Sequence, residues 1–208
     1  MKNGACLSGG KPVVKREDIV RDLRRLGLRR GDILELHSSL SAIGRVKGGA
    51  VTVIRAFQEV LGERGTLLMP AFTYSREGGE GFHPDESPVK TGRIPETFRK
   101  MKGVLRSLCP IHSVAAWGKR ALEFTWRHPV ATTLGKGSPF HLAAEAGGKI
   151  MLLGCDQNSN SFLHILESLA GHPMLYEVVP YFSKGLIRQD DGRTKDAVSY
   201  THLTLPTN

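Results

Sequence analysis

Cysteine is scarce in this 208-residue chain: Cys6, Cys109 and Cys155 lie far apart, are odd in number and form no CxxC pair. That argues against a disulfide framework and against a cysteine-held zinc cluster, and it suits a reducing cytoplasm. Long hydrophobic runs are also missing, and none approaches the roughly 18 apolar residues of a membrane span. The opening MKNGACLSGGKPVVKR has no apolar centre of the kind a secretory signal needs. Acidic residues are outnumbered, 20 Asp and Glu to 29 Lys and Arg, which leaves a formal charge of +9. Much of the excess sits early, with nine Lys/Arg against three Asp/Glu in residues 1–30. Such a balance reads either as a solvated helix face with a basic tail or as a surface for a phosphate-bearing ligand. Aromatics are not interleaved with these cations, and no helix-turn-helix, zinc-finger or RNA-binding signature is present, so neither nucleic acid nor a membrane is the expected partner.

What is present is enough apolar residue, 40% of the chain, to fill one core. In REDIVRDLRRLGL, Ile19, Val20, Leu23 and Leu26 recur at helical spacing up to Gly27. GDILELHSSL predicts a strand after a Gly31-Asp32 turn, and GGAVTVIRAFQEVLG a helix with the stripe Val53, Ile54, Phe57, Val60, Leu61, stopped at Gly62. GTLLMPAFTYS predicts a buried strand ending at Pro70. REGGEGFHPDESPVKTG is a polar Gly/Pro loop long enough to carry function. IPETFRKM, KRALEFTWRH and GSPFHLAAEAGG predict helices, the last with Ser138 as N-cap and Pro139 at N1. SVAAWG, KIMLLGC and YEVVPYFS predict strands, and SFLHILESLAG a helix. This alternation is that of an α/β domain with helices on both faces of a sheet. Residues 1–197 are expected to form a single domain. VSYTHLTLPTN, from Val198, fits no element and reads as a non-native tail that contributes nothing to a site, with the natural end missing.

Three stretches could carry chemistry. In SFLHILE, His164 follows a strand and a polar turn, where ligands gather in open α/β sheets, and Glu167 is its neighbour one helical turn on. A core histidine is the alternative on an apolar helix, but the run Asn158, Ser159, Asn160, Ser161 before it supplies caps and donors. In HSSLSAIGRVKGG, His37, Ser38 and Ser39 end a strand, and Gly44, Gly48 and Gly49 lead into a helix whose amides attract anions, though the order is neither Walker A nor GxGxxG. In LRSLCPIHSVAAWG, Arg106 can pair with a phosphate or carboxylate. A Cys109–His112 nucleophile pair is a weaker alternative. His37, His112, His128 and His164 are scattered without HExxH spacing, so no metal is expected.

Taken in order, HSSLSAIGRVKGG, GTLLMPAFTYS, GRIPETFRKMKGVLRS, CPIHSVAAWG, GKGSPFHLAAEAGGKIMLLG and SFLHILE resemble the aminoglycoside N3-acetyltransferase family, over roughly Val13 to Asp196. The resemblance implies a three-layer α/β/α fold with a mixed central sheet, distinct from the common N-acetyltransferase fold. It implies direct acetyl transfer from acetyl-CoA to an amine, the 3-amino group of an aminoglycoside, without a covalent enzyme intermediate or a metal. The family's presumed general base maps to His164, here followed by Glu167. Its CoA-holding segments map to His37, Ser38, Ser39, Arg45, Val46, Arg106 and Ser107. Its reaction-centre segment maps to Thr73 and Tyr74, with Asp156 expected on the substrate side and Asp85 and Glu86 as further carboxylates nearby. Ser161 stands where the family usually has threonine. Family members run several dozen residues further and draw from that region an acidic partner for the histidine. Another small amine as acceptor, or CoA binding without catalysis, are the alternatives.

Overall fold

The computed structural model describes residues 12–74, 81–128, 133–172 and 186–196. Five strands form one mixed sheet: β1 (Ile33–Ser38), β2 (Thr66–Pro70), β3 (Val104–Arg106), β4 (Val114–Gly118) and β5 (Lys149–Leu153), in the order β3-β4-β2-β1-β5. β1 lies parallel to β2 and β5, while β4 runs antiparallel to β2 and to β3. Helices cover both faces, which is the expected three-layer α/β/α arrangement.

Side chains alternate across a strand, so one segment feeds two cores. Leu67 and Met69 of β2 join Leu34 and Leu36 of β1 on the first face. There they meet α1 (Arg16–Arg25), α3 (Gly49–Leu61) and α4 (Arg93–Arg99) through Leu23, Ile54, Phe57 and Phe98. Leu68 points the other way, with Val114 and Ala116, toward α5 (Ala121–Thr125), α6 (Pro139–Glu145) and α7 (Phe162–Leu169). Each fully buried Leu or Phe in these clusters contributes about 1.5–3 kcal/mol.

The α3 stripe is buried as its spacing predicts, and Gly62 stops that helix at φ +62. Leu26, read as part of the α1 stripe, is instead 75% exposed, and Leu28 is buried in its place. The helix ends at Arg25, so the periodicity no longer applies to the turn. Gly31 and Asp32 do make the turn into β1, with Asp32 accepting Arg29 N–H at 2.8 Å and Lys149 Nζ at 2.6 Å. Ser138 caps α6 with Pro139 in the first turn.

The helix α2 (Leu40–Ile43) and the strand β3 had no counterpart in the sequence reading. Nor did the antiparallel hairpin of β6 (Leu186–Arg188) and β7 (Thr194–Asp196), which falls where a polar turn was expected. Phe82 of the long loop bridges to Ile187, with Phe82 N–H donating to Leu186 O and Arg188 N–H to Phe82 O, both at 2.7 Å. The strand expected in residues 176–183 and the tail from Val198 lie outside the described residues.

Candidate active site

The carboxyl ends of β1, β2 and β5 set the site. β1 leads through Ser39 into α2, and β5 leads through Gly154 into a short 3-10 turn (Gln157–Ser159) and then α7. Gly154 has φ +70, and a Cβ there would lie 2.8 Å from Ala42 Cβ and 3.1 Å from Ser39 O. Only glycine lets the two exits pack together. Ser39 N–H fastens the junction by donating to Leu153 O at 2.9 Å. The polar run before α7 works as a set of local caps. Asp156 accepts from Asn158 N–H at 3.1 Å and from Asn158 Nδ2 at 3.2 Å, and Asn160 Oδ1 accepts Phe162 N–H at 3.1 Å.

This turn presents His164 on the exposed side of α7, with its side chain 55% accessible. Ile165 alone among the helix's residues is fully buried, so His164 is not a core histidine. Its Nδ1 lies 2.8 Å from Glu167 Oε2. With Glu167 accepting Nδ1–H, the lone pair resides on Nε2, the arrangement of a proton acceptor oriented by a carboxylate.

Across the site, Thr73 Oγ1 donates to Pro110 O, and the amides of Thr73 and Tyr74 donate to Ile111 O at 3.1 and 3.2 Å. Tyr74 is the one non-glycine residue at positive φ among the described residues, at +52. That conformation is uncommon for a bulky side chain and clusters at functional sites. The ring stands edge-on to Phe72 at 5.9 Å and to His112 at 5.8 Å, and burial raises its phenol pKa above the ordinary value. His112 packs at 4.9 Å from Phe72, and its Nδ1 lies 2.6 Å from Thr133 Oγ1. Desolvation, with the neighbouring charges of His128 and His164, pulls its pKa down to about 3. His112 is therefore neutral at working pH and sits close enough to His164 to feel it. Sequence reasoning considered His112 as a partner of Cys109 and among the scattered histidines, but not as a neighbour of His164. That pairing has no support, because Cys109 is fully buried and its thiol is pushed up to about 11 by desolvation.

The residues expected to hold CoA divide. Arg45 is exposed and Val46 half-buried at the loop before α3. Ser39 Oγ lies 3.2 Å from Ser41 Oγ, and Ser38 Oγ is buried with no hydrogen-bond partner. The other three face inward. Arg106 donates to Ser113 Oγ at 3.0 Å, to Pro84 O and Ser87 O at 2.9 and 2.7 Å, and to Ala71 O at 2.7 Å. Those bonds engage four of its five N–H groups. Its guanidinium also lies 4.9 Å over the Phe82 ring, and desolvation lowers its pKa to about 10. It is a strut tying residues 82–87 to the sheet rather than an open anion ligand. Ser107 is fully buried, 2.8 Å from His128 Nδ1 and accepting Val114 N–H at 2.8 Å. His37 is buried too, with Nε2 2.6 Å from Glu35 Oε1 and its ring 6.0 Å from Phe140. Glu35 escaped notice, although its two-residue spacing from His37 puts both on one strand face. Desolvation raises its pKa, opposed by the histidine. Of the loop carboxylates, Asp85 is exposed, and Glu86 pairs with Arg188 of β6. No cluster of three or more possible metal ligands exists among the described residues, and no described helix is long and apolar enough to cross a membrane.

Fold and site define an α/β protein with a histidine–glutamate pair at the carboxyl ends of its parallel strands. The chain belongs to the aminoglycoside 3-N-acetyltransferase family, whose model matches residues 36–207. It is 36% identical over 188 residues to aminoglycoside N(3)-acetyltransferase VII of Streptomyces paromomycinus, a match covering 81% of this chain and 65% of that protein. The chain thus spans slightly less than two thirds of the length of this relative. Among solved structures, aminoglycoside acetyltransferase AAC(3)-Xa superposes with a TM-score of 0.77 at 32% identity, covering 88% of this chain and 70% of that one. AAC-IIIb in a binary complex with CoASH superposes at 0.70 and 33% identity, covering 76% and 66%.

Proposed function

We propose that this chain is an acetyl-CoA-dependent N-acetyltransferase that acts on the 3-amino group of an aminoglycoside, with His164 as general base. The observation that carries the reading is the His164–Glu167 pair, held at 2.8 Å on the exposed side of a helix that follows a parallel strand. An ammonium group is not a nucleophile. In the proposed reaction, Nε2 of His164 takes the amine proton as the nitrogen attacks the thioester carbonyl. The C–S bond then breaks, leaving the amide, and CoA departs as the thiol once it regains a proton. Glu167 holds the imidazole in the correct tautomer and stabilises the imidazolium. Tyr74 keeps its O–H at neutral pH and stands at the same site, so it is the donor assigned to the carbonyl oxygen, which gains negative charge.

The stretch with Ser39, Arg45 and Val46, of which Arg45 is exposed, is the proposed CoA contact, and Arg106 acts from behind by fixing residues 82–87. Thr73 and Asp156 are assigned to the substrate side. Substrate class and regiochemistry follow the named relatives. Acetyl-CoA supply and the free thiols of Cys109 and Cys155 fit a cytoplasmic setting.

The test is thiol release from acetyl-CoA with a panel of aminoglycosides and simple amines, followed by mass and positional analysis of the product. Acetylation at the 3-amino group of an aminoglycoside is the expected result. Acetylation of simple amines alone would reassign the substrate, and CoA binding without transfer to any amine would leave only a binding protein.

A further inference from the structure

The end of the sheet opposite His164 carries a second charged feature. Because β1 and β2 are parallel, α3 runs back along the sheet. Its last turn and the turn before β1 therefore lie at the amino ends of those strands. Two clefts open there. One, of about 440 Å³, is lined by Arg24, Arg29, Arg30 and Glu59 over Leu28 and Val60. The other, of about 410 Å³, includes Arg16, Arg30, Arg55, Glu59, Glu63 and Trp117. They share Arg30 and Glu59, so they form one surface.

The charge is only partly neutralised within the protein, since five arginines line the two clefts against Glu59 and Glu63. Arg30 and Arg55 form no ion pair with a carboxylate among the described residues, and Arg29 has only the nearby charge of Asp32, whose pKa it helps to lower. Glu59 is shared by Arg16 at 3.4 Å and Arg24 at 3.9 Å, both longer than a tight charge-assisted bond. All the cations are arginine, whose planar fork matches phosphate oxygens. Arg30 lies against the side-chain-free surface of Gly62, with its Nε 3.0 Å from where a Cβ would stand.

We infer that this arginine-lined surface is a binding site for a linked phosphate chain, separate from the acetyl-transfer site. Several guanidiniums flanking two joined clefts suit charges held close together along one covalent chain better than carboxylates on separate side chains. Trp117 gives the second cleft an apolar wall that a nucleobase can cover. A bare polyphosphate and a nucleoside triphosphate present the same phosphate chemistry to the arginines.

The experiment titrates tripolyphosphate and ATP against the full chain at low salt with saturating CoA present. Binding is followed by calorimetry and by tryptophan fluorescence. Saturable binding is expected, weakened about tenfold or more by Arg30→Gln and by Arg55→Gln, tightened by Glu59→Gln, and unchanged by Arg127→Gln on the other face. The thermal midpoint of each variant without ligand shows whether it is folded. Tighter binding of ATP that Trp117→Leu erases identifies the nucleotide as occupant, and equal binding identifies the bare phosphate chain. Four results overturn the proposal: no saturable binding, displacement by CoA, equal losses in Arg127→Gln, or binding of a single-stranded oligonucleotide but not of tripolyphosphate.

Discussion

Helices α3 and α7, on opposite faces of the sheet, are built to different standards. On the first face, α3 buries Val53, Ile54, Ala56, Phe57 and Leu61 with no exposed surface, and α4 adds Phe98. On the second, α7 anchors itself through Ile165, while Leu163, Leu166 and Leu169 are 40, 49 and 51% exposed. β5 is the last strand of the sheet among the described residues, with Ile150 39% exposed. The first face is scaffold, as are Phe124 and Phe140 of α5 and α6 on the second, and this packing determines stability. The helix that carries His164 rests on that scaffold with a light grip, so its chemistry can be altered without unfolding the protein.

Substitutions should separate the two helices sharply. Phe57→Ala removes a fully buried ring and should destabilise by about 3–5 kcal/mol in denaturant titration. A loss as large from an exposed α7 leucine would break the contrast.

Acid provides the next largest effect, and it acts around the site rather than in the first-face core. His128 is buried and His112 half-buried, and desolvation lowers their pKa values to about 4 and about 3. Between those values and the ordinary 6.5, the unfolded chain binds more protons than the folded one, so stability rises with pH. It should therefore fall by about 2 kcal/mol per histidine between pH 7 and pH 5. Replacing His128 with Asn should remove one share of that slope. An unchanged slope would mean that the ring is solvated in the folded state.

That histidine network shows where sequence reading stopped. The first-face core was legible because Val53, Ile54, Phe57, Val60 and Leu61 repeat at helical spacing, and His164 because it follows a strand and precedes Glu167. The three-residue strand β3 is too short to show a period, and β7, Thr194–Asp196, is polar throughout; both exist through pairing with distant partners. Arg106 reads as a free cation until the loop that supplies Pro84 O and Ser87 O is folded against it. Glu35 reads as a solvent-facing strand residue because its cover, α6, comes a hundred residues later. Leu26 misled because the period was extended past the helix end.

Smaller effects sharpen the picture of α7. Leu166→Ser should leave stability within about 0.5 kcal/mol, and it should reduce any self-association seen by light scattering, since an exposed apolar row promotes contact. Loss of several kcal/mol would show that the outer face of α7 is covered in solution.

The most direct measurement is acetyl transfer by His164→Ala beside the unsubstituted chain, with CoA affinity and thermal midpoint measured on both. Turnover should fall by about 10²-fold or more while the other two quantities stay nearly constant. An exposed histidine on a lightly held helix should contribute to the chemistry and little to the fold. Full turnover in His164→Ala, or a collapse of stability in place of activity, would contradict the assignment of His164 as the base.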